Sequence, residues 1–277
     1  MWLIADSGST KTEWILFDES GERKKLFSRG LNPLFLSEEE FKYEVEKAIS
    51  SNERLEITKL WFYAAGCGSE AINSKTALWL TAILKNAIIK VDSDMLAAAR
   101  ATCSTSSGLV AILGTGSNSC FYDGRIVKDQ IKPLGFILGD EGSGAALGKA
   151  LLQKLLRNQF SPQLTALVYK EIGLDYDGII AKLYHSSWPS RFLASCAKVM
   201  FNHKHENEIE QLIEAEFDRF SNVLKGYNNS SSVNIIGSIG FYFEEQIRTS
   251  LQKNGLDIGV IIKSPAVSLI DYHLEND

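Results

Sequence analysis

Short apolar runs alternate with polar turns through the first half of the chain, a pattern typical of β-strands joined by tight turns. Longer segments that open with a serine or an acidic residue predict helices between the strands, because such side chains cap free backbone amides. The predicted strands cover residues 2–5, 12–18, 24–28, 60–65, 88–91, 109–113, 120–123 and 125–131. The predicted helices of this half cover residues 37–50, 69–86 and 94–102.

From Asp140 onward the pattern is mainly helical. The predicted helices cover residues 141–157, 162–171, 176–184, 190–202 and 206–225. Two apolar strands at residues 233–236 and 259–262 flank a further helix that reaches about residue 253. A last helix opens at Ser264-Pro265-Ala266, where the missing N–H of proline costs nothing.

The opening of the chain is repeated further along. Asp6-Ser7-Gly8-Ser9-Thr10 aligns with Gly114-Thr115-Gly116-Ser117-Asn118 at an offset of 108 residues. In both copies a buried strand leads into a Gly/Ser/Thr turn, a second strand and a turn that contains glycine. A repeat at this spacing predicts two related lobes, although turns rich in Gly and Ser also resemble each other by chance.

Length and composition agree with two compact lobes. The chain has 277 residues, 45% of them apolar and 23% charged, which excludes disorder as the main state. The net charge is −5 and the basic residues are scattered. Because phosphate neutralisation needs clustered positive charge, no nucleic-acid partner is expected.

The cysteines and the N-terminus indicate the compartment. Cys67, Cys103, Cys120 and Cys196 form no CxxC pair, so neither a disulfide framework nor a zinc site is expected. The apolar start of the chain is too short for a signal peptide, and no segment approaches the ~20 apolar residues that cross a bilayer. We therefore expect a cytoplasmic protein with no membrane partner.

Three turns rich in Gly, Ser and Thr each follow a predicted strand, at residues 6–12, 114–119 and 237–240. Neither a Walker A loop nor a Gly-x-Gly-x-x-Gly loop is present. Small residues let backbone N–H groups approach phosphate oxygens, and hydroxyl groups add donors. One such turn is weak evidence, since hairpins need Gly and Ser anyway, but the set of three indicates a nucleotide held between two lobes.

These segments carry a resemblance to a known superfamily. The two phosphate motifs and the adenosine motif of the actin/hexokinase/Hsp70 superfamily resemble Asp6-Ser7-Gly8-Ser9-Thr10-Lys11-Thr12, Gly114-Thr115-Gly116-Ser117-Asn118-Ser119 and Ile235-Ile236-Gly237-Ser238. A more specific segment, Gly139-Asp140-Glu141-Gly142-Ser143-Gly144, resembles the N-acetylglucosamine kinase branch, which is grouped with the BadF/BadG/BcrA/BcrD ATPase family. The resemblance spans essentially the whole chain.

The resemblance implies an α/β fold of two RNase H-like (actin-like ATPase) lobes with a cleft between them. The lobes are expected at residues 1–106 and 107–277, with helical insertions in the second lobe. The resemblance leaves open that the last helix packs back on the N-terminal lobe.

The resemblance also implies roles for individual residues. ATP contacts fall on Gly8, Ser9, Thr10, Lys11, Gly114, Thr115, Gly116, Ser117, Gly237 and Ser238. Asp6 matches the acid that holds Mg²⁺, and Asp94 matches the acid taken as catalytic base. Sugar contacts fall on Asn32, Asp94, Gly135 and Asp140. Gly135 belongs to a Pro133-Leu134-Gly135-Phe136 segment where the mammalian kinases of the family carry Gly-Trp.

Each acidic candidate also has an ordinary structural interpretation. Asp94 stands at a predicted helix start and is typical of an N-cap. Asp6 ends a strand, and Asp140 precedes a helix whose dipole favours acids. Asn32 before Pro33 is typical of a turn. The family resemblance favours the functional interpretation of all four residues.

The leading hypothesis is ATP- and Mg²⁺-dependent phosphorylation of an amino sugar, first of all N-acetylglucosamine to its 6-phosphate. Glucosamine and N-acetylmuramic acid stay open as substrates, and the resemblance leaves a homodimer open. One alternative is the activator ATPase of 2-hydroxyacyl-CoA dehydratases, which bridges an iron–sulfur cluster with paired cysteines that Cys103 and Cys120 only imitate. A second alternative is a non-catalytic module that senses a sugar or a nucleotide.

Overall fold

The computed structural model describes residues 1–21, 24–227 and 232–276. The chain divides into two compact units. Unit 1 comprises Met1–Ser106, Gly124–Val127 and Ser264–Asp277, and unit 2 comprises Ser107–Asp123 and Lys128–Lys263. The division differs from the expected boundary at residues 124–127, which belong to unit 1, and the last segment of the chain belongs to unit 1 as well, a packing that the expectation left open.

In the described part of the chain, each unit contains one five-stranded sheet. The strands in chain order are β1 Trp2–Ser7, β2 Lys11–Phe17, β3 Lys24–Arg29, β4 Lys59–Ala64, β5 Ile88–Ser93, β6 Gly108–Leu113, β7 Ser117–Tyr122, β8 Val127–Asp129, β9 Val233–Ile236 and β10 Ile258–Ile262.

Helices cover both units. In chain order they are α1 Glu38–Ala48, α2 Ser51–Glu56, α3 Glu70–Ile83, α4 Asp94–Cys103, α5 Gly135–Leu138, α6 Gly144–Leu156, α7 Pro162–Ile172, α8 Tyr176–His185, α9 Pro189–Asn202, α10 Asn207–Leu224, α11 Ser238–Tyr242, α12 Glu244–Lys253 and α13 Ala266–Asn276.

The two sheets share one topology. The strand order is β3-β2-β1-β4-β5 in unit 1 and, in the same sense, β8-β7-β6-β9-β10 in unit 2. The pairs β1–β2 and β6–β7 are antiparallel. The pairs β1–β4, β4–β5, β6–β9 and β9–β10 are parallel. The prediction of two related α/β lobes is therefore confirmed.

The register of the sheets corrects the sequence alignment of the repeat. The last residue pair of the first hairpin is Ser7 with Thr12, and the last pair of the second hairpin is Leu113 with Ser117. Gly8 and Gly114 are thus the equivalent first turn residues, and the offset is 106 residues at this point. The offset of 108 was wrong because it matched Gly8-Ser9 with the identical pair Gly116-Ser117, two residues beyond the structural equivalent.

The sheet of unit 1 is covered on both faces. Side chains alternate along β1, so Leu3 and Ala5 face a core that includes residues of α1 and α3. Ile4 faces the opposite core, which includes residues of α4 and α13. By the same alternation, Asp6 lies on the face of α4 and α13, and Ser7 lies on the face of α1 and α3.

Several predicted boundaries change for local reasons. The helix predicted to reach residue 50 ends at Ala48, because Ser50 and Glu53 form a second capping box that starts α2, as Ser37 and Glu40 start α1. Residues 117–119, predicted as a turn, are the first half of β7. The helix predicted from residue 141 begins only at Gly144, after the Ser143 cap.

Candidate active site

Two turns stand at equivalent ends of the two sheets. Turn A comprises residues 8–11, and turn B comprises residues 114–116. Each closes with a backbone hydrogen bond, from Gly8 N–H to the Lys11 carbonyl and from Gly114 N–H to the Gly116 carbonyl, both 3.0 Å. A Cβ added at Gly8 has no neighbour closer than 3.9 Å, and one added at Gly114 has none within 4 Å. Open space therefore adjoins both glycines, as a bound phosphate group requires.

Turn A is held by residues that the sequence reasoning missed. The Ser7 hydroxyl accepts a hydrogen bond from Leu31 N–H at 2.8 Å and contacts the Thr12 hydroxyl at 2.8 Å. Gly30 N–H donates to the Thr10 carbonyl at 3.0 Å. A Cβ at Gly30 would overlap the carbonyl oxygen of Gly8, so only glycine allows this approach. Nothing local in the sequence indicates these contacts, because the partners are about twenty residues apart.

Asn32 follows directly on the chain from this contact. Its Oδ1 accepts a hydrogen bond from Leu34 N–H at 2.9 Å, which is the turn role expected from its type. Its amide also packs against Gly66, whose φ of +88° favours glycine and whose added Cβ would overlap the amide. Unit 1 thus places Asn32 beside the segment that anchors turn A.

Three carboxylates of unit 1 interact near the end of β1. Asp6 on β1 is paired in register with Glu13 on β2, so both lie on the face of α4 and α13. The pKa of Asp6 is raised to about 7, mainly by burial and further by the charges of Asp94 and Glu13, while Lys11 opposes the shift. Glu13 itself accepts hydrogen bonds from Lys25 Nζ at 3.1 Å and the Ser264 hydroxyl at 2.8 Å. Of the three carboxylates, Glu13 is therefore the one that these two side-chain partners engage.

Asp94 is the first residue of α4, and it is not the cap. The cap is Ser93, whose hydroxyl accepts a hydrogen bond from Leu96 N–H at 3.2 Å. The interpretation of Asp94 as a plain N-cap was therefore wrong. Burial raises the pKa of Asp94 to about 6, and hydrogen bonds from backbone N–H groups of Met95 and Asp94 itself limit the rise. A carboxyl group with this pKa is suited to accept a proton near neutral pH.

Turn B is tied to the segment that carries Asp140. The Asp140 carboxylate accepts a hydrogen bond from Ser117 N–H and lies over Gly116, where an added Cβ would come within 2.7 Å of it. Gly144 N–H donates to the Gly114 carbonyl at 2.9 Å, and Ala145 N–H donates to the Thr115 carbonyl at 3.0 Å. Burial raises the pKa of Asp140. The structure thus brings Asp140 and all of turn B together within unit 2.

A small pocket of unit 2 adjoins this arrangement. Its lining includes the polar Ser117, Asn118 and Asp140 and the apolar Ile131 and Phe220. Gly135, a predicted sugar contact, does not line it. Gly135 begins the short helix α5 with a φ of +70°, and Ile137 and Leu138 of that helix are largely exposed.

Gly237 and Ser238 stand where β9 meets α11. Gly237 has a φ of +120°, and an added Cβ would overlap the carbonyl oxygen of Leu113, the last residue of β6. Ser238 is the first residue of α11, so residues 238–240, expected to be a turn, are helical. The third predicted nucleotide segment therefore lies against the strand that leads into turn B.

The remaining chemistry bears on the alternative functions. Cys120 on β7 is fully buried, which argues against a cluster shared with a partner subunit at that residue. Within the described residues, no group of three or more His, Cys, Asp or Glu side chains is arranged to hold a metal ion. No helix in the described ranges is long and apolar enough to span a membrane.

Comparisons with known proteins extend over the whole chain. No protein-family model matches it, and no curated protein matches it. A solved structure from Porphyromonas gingivalis, described as that of a candidate N-acetylglucosamine kinase, is 37% identical, with 100% of this chain and 99% of that chain covered and a TM-score of 0.94.

Two more distant structures share the fold. A candidate N-acetylglucosamine kinase from Chromobacterium violaceum is 16% identical over 98% of both chains, with a TM-score of 0.71. A ROK family glucokinase from Streptomyces griseus, in complex with glucose and AMPPNP, is 13% identical over 98% of this chain and 97% of that chain, with a TM-score of 0.60. The predicted fold class, two α/β lobes of the actin-like and hexokinase type, is confirmed.

Proposed function

The chain belongs to the N-acetylglucosamine kinase-like branch of the BadF/BadG/BcrA/BcrD ATPase family, within the actin/hexokinase/Hsp70 superfamily, and we propose that it transfers the γ-phosphoryl group of ATP to the C6 hydroxyl of N-acetylglucosamine. The protein is a sugar kinase, a phosphotransferase with an alcohol acceptor. The observation that carries the proposal is the pair of interacting carboxyl groups, Asp6 and Asp94, in the unit that also holds turn A and Asn32.

The nucleotide contacts are assigned to the glycine-containing segments. Turn A, with Gly8, Ser9, Thr10 and Lys11, and turn B with Ser117 would contact phosphate oxygens through backbone N–H and hydroxyl groups. The open space beside Gly8 and Gly114 supports this assignment. Gly237 and Ser238 would contact the adenosine part of ATP.

Asp6 would hold Mg²⁺. Its raised pKa reflects burial and two neighbouring negative charges, the surroundings in which a bound divalent cation relieves repulsion. Bound Mg²⁺ would supply charge neutralisation at the β- and γ-phosphate oxygens. Asp6 alone among the candidates is assigned as a protein ligand, so phosphate oxygens and water would complete the coordination shell.

Asp94 would accept the proton of the attacking hydroxyl. At neutral pH a carboxyl group with a pKa of about 6 is mostly ionised and still basic enough to assist proton removal. Because Ser93 caps α4, the Asp94 carboxylate is not needed for that role. Asn32, Gly135 and Asp140 would contact the other sugar groups, and Asp140 would do so while it holds Ser117 N–H.

The decisive experiment is a coupled assay of ADP release with Mg-ATP. N-acetylglucosamine, glucosamine and N-acetylmuramic acid are compared, and 6-deoxy-N-acetylglucosamine serves as the matched sugar without the acceptor hydroxyl. We expect N-acetylglucosamine to give the highest kcat/KM, with the phosphate on C6 by NMR, and the 6-deoxy sugar to give no turnover. ADP release that no amino sugar accelerates would contradict the proposal.

Replacement of Asp94 tests its role. Asp94→Asn keeps the shape of the side chain and leaves the Ser93 cap intact, but it removes the base. General-base assistance contributes ~10²–10⁴ in rate, so kcat should fall at least ~100-fold while calorimetry finds AMPPNP binding retained. The control is Asp92→Asn, because Asp92 lies on β5 about 4.0 Å from Arg100 and has no assigned role. Near-normal turnover of Asp94→Asn would remove Asp94 from the mechanism.

A further inference from the structure

Two buried hydroxyl groups link turn A to the segment that carries Asn32. Ser7 and Thr12 are both fully buried, and they are the register pair on either side of turn A. Ser7 Oγ lies 2.8 Å from Thr12 Oγ1 and 2.8 Å from Leu31 N. Thr12 Oγ1 lies 3.0 Å from the Arg29 carbonyl oxygen. The two side chains therefore bridge both sides of turn A to residues 29–31.

The hydrogen bonds in this bridge can run in one direction only. The Arg29 carbonyl can only accept, so the Thr12 hydroxyl donates to it. Thr12 has no second proton, so Ser7 donates to Thr12 Oγ1. Leu31 N–H in turn donates to Ser7 Oγ. Every proton in this chain of hydrogen bonds has an acceptor, and the loss of any one hydroxyl leaves a buried donor or acceptor without its partner.

The bridge acts directly next to Asn32. Leu31 is fully buried and precedes Asn32 on the chain, so the position of Leu31 N–H sets where the Asn32 backbone starts. Turn A is less dependent on the hydroxyls, because it is also held by its own hydrogen bond from Gly8 to Lys11, whereas Leu31 N–H donates to the Ser7 hydroxyl. Loss of the bridge should therefore displace Asn32 more than it displaces turn A.

We propose that Ser7 and Thr12 are positioning residues that fix Asn32 relative to turn A, so that the amino sugar is held where the phosphoryl group is delivered. This inference rests on the proposed function, since it takes Asn32 as a sugar contact and turn A as a nucleotide contact. It adds two residues to which no role in the reaction has been assigned.

A matched pair of substitutions at Thr12 provides the test. Thr12→Val keeps the β-branched shape on β2 and removes the hydroxyl, whereas Thr12→Ser keeps the hydroxyl and removes a methyl group. Thr12→Val removes both hydrogen bonds of the hydroxyl, and we expect the KM for N-acetylglucosamine to rise at least about tenfold. The KM for Mg-ATP should stay within about twofold. Thr12→Ser should restore the sugar KM to near the wild-type value.

A double-mutant cycle with Asn32→Ala separates positioning from general loss of stability. If Thr12 acts through Asn32, Thr12→Val should add little to the sugar KM in the Asn32→Ala background. The same fold-change in both backgrounds would overturn the proposal, and so would an unchanged sugar KM in Thr12→Val. Thermal unfolding of every variant identifies any that are not folded at the assay temperature, and Ser7→Cys then repeats the test with a side chain of similar size.

The outcome for the wild-type protein distinguishes the two proposals. Wild-type turnover of N-acetylglucosamine with an additive Thr12/Asn32 cycle overturns the positioning role alone. Absence of turnover with every amino sugar overturns the proposed function, and the positioning role falls with it.

Discussion

Asp94 lies in surroundings that oppose its ionisation, and this opposition affects folding. The pKa of its carboxyl group rises from 3.8 to about 6 on folding because of burial. Between these two values the folded state binds more protons than the unfolded state, so the stability falls as the pH rises. Above pH 6 the full loss of stability from the raised pKa is present.

Asp94→Asn should therefore stabilise the protein at pH 8, because asparagine does not ionise. We expect its free energy of unfolding in urea to exceed that of the wild type by ~1–3 kcal/mol at pH 8. At pH 4 this difference in free energy should shrink to a small fraction of its value at pH 8, because the wild-type carboxyl group is then protonated in the folded state. Both measurements are made with a chelator present.

Asp175→Asn provides the comparison at another helix start. Asp175 is exposed and caps α8 by accepting a hydrogen bond from Gly178 N–H at 2.8 Å. Asparagine caps nearly as well, so this variant should show little change at either pH. A gain for Asp94→Asn that is equal at pH 4 and pH 8 would mean that ionisation is not its source.

The sequence pattern singled out Asp6 and Asp94 but not the groups that hold turn A. Asp6 and Asp94 stand out because an acid ends a strand or begins a helix. Ser7, Thr12 and Gly30 looked like ordinary turn residues. Their role depends on contacts with residues distant in sequence, which a pattern of neighbouring residues does not contain.

At the scale of elements, strand and helix types were predictable from apolar spacing and caps. Most errors occurred at boundaries. Helix α2 was not predicted because its capping box, Ser50 and Glu53, begins where the preceding helix was expected to end, and α5 lacks any side-chain cap to indicate it. The register of the repeat was wrong because Gly8-Ser9 matches Gly116-Ser117 in sequence, whereas Gly114 is the structural equivalent of Gly8.

The contact between α6 and α9 yields a prediction about one glycine. Gly148 lies in the middle of α6, and a Cβ there would overlap the carbonyl group of Leu193 on α9 and come within 3.2 Å of Cys196 Cβ. Alanine normally stabilises a helix interior by about 1 kcal/mol relative to glycine. Gly148→Ala should instead destabilise the protein by ~1–3 kcal/mol in urea unfolding, because α6 and α9 must move apart.

Gly68→Ala is the control for this substitution. A Cβ at Gly68 has nothing within 4 Å, so alanine fits there without displacement of any neighbour. We expect a change within about 0.5 kcal/mol. A Gly148→Ala variant that is as stable as wild type would show that the helices separate at no cost.

At the scale of the whole molecule, the chain returns to its beginning. After unit 2 is complete, α13 packs against the sheet of unit 1 with Leu269 and Ile270 in the core that contains Ile4 and Trp61. His273 of the same helix is buried and lies 2.8 Å from the Tyr63 hydroxyl. The last helix is therefore part of the N-terminal fold.

Leu269→Ala should destabilise unit 1 by ~2–5 kcal/mol, the usual cost of a large cavity in a core. The matched control is Leu274→Ala on the same helix, because Leu274 is 40% exposed whereas Leu269 is fully buried. Urea unfolding followed by tryptophan fluorescence suits this comparison, since Trp61 belongs to the same core. Equal losses for the two variants would show that α13 contributes no specific packing.

The family was recognisable from a few motifs, because Gly139 to Gly144 and the three turns occur in the right order. The assignment of whole segments to units was less accessible. Both Gly124–Val127 and Ser264–Asp277 belong to unit 1. The first segment lies between two segments of unit 2 along the chain, and the second follows unit 2. Only tertiary packing reveals this, since both segments have ordinary local composition.

The return of α13 to unit 1 has a consequence for biosynthesis. A ribosome that adds ~5–20 residues per second needs roughly 10–30 s to make unit 2, and it makes α13 only afterwards. Throughout that interval the face of the first sheet that carries Ile4, Ile15 and Trp61 has no helix α13 to cover it on the nascent chain. The sheet of unit 1 is thus synthesised before unit 2 but completed after it, and its uncovered apolar face is the surface that a chaperone would bind while translation continues.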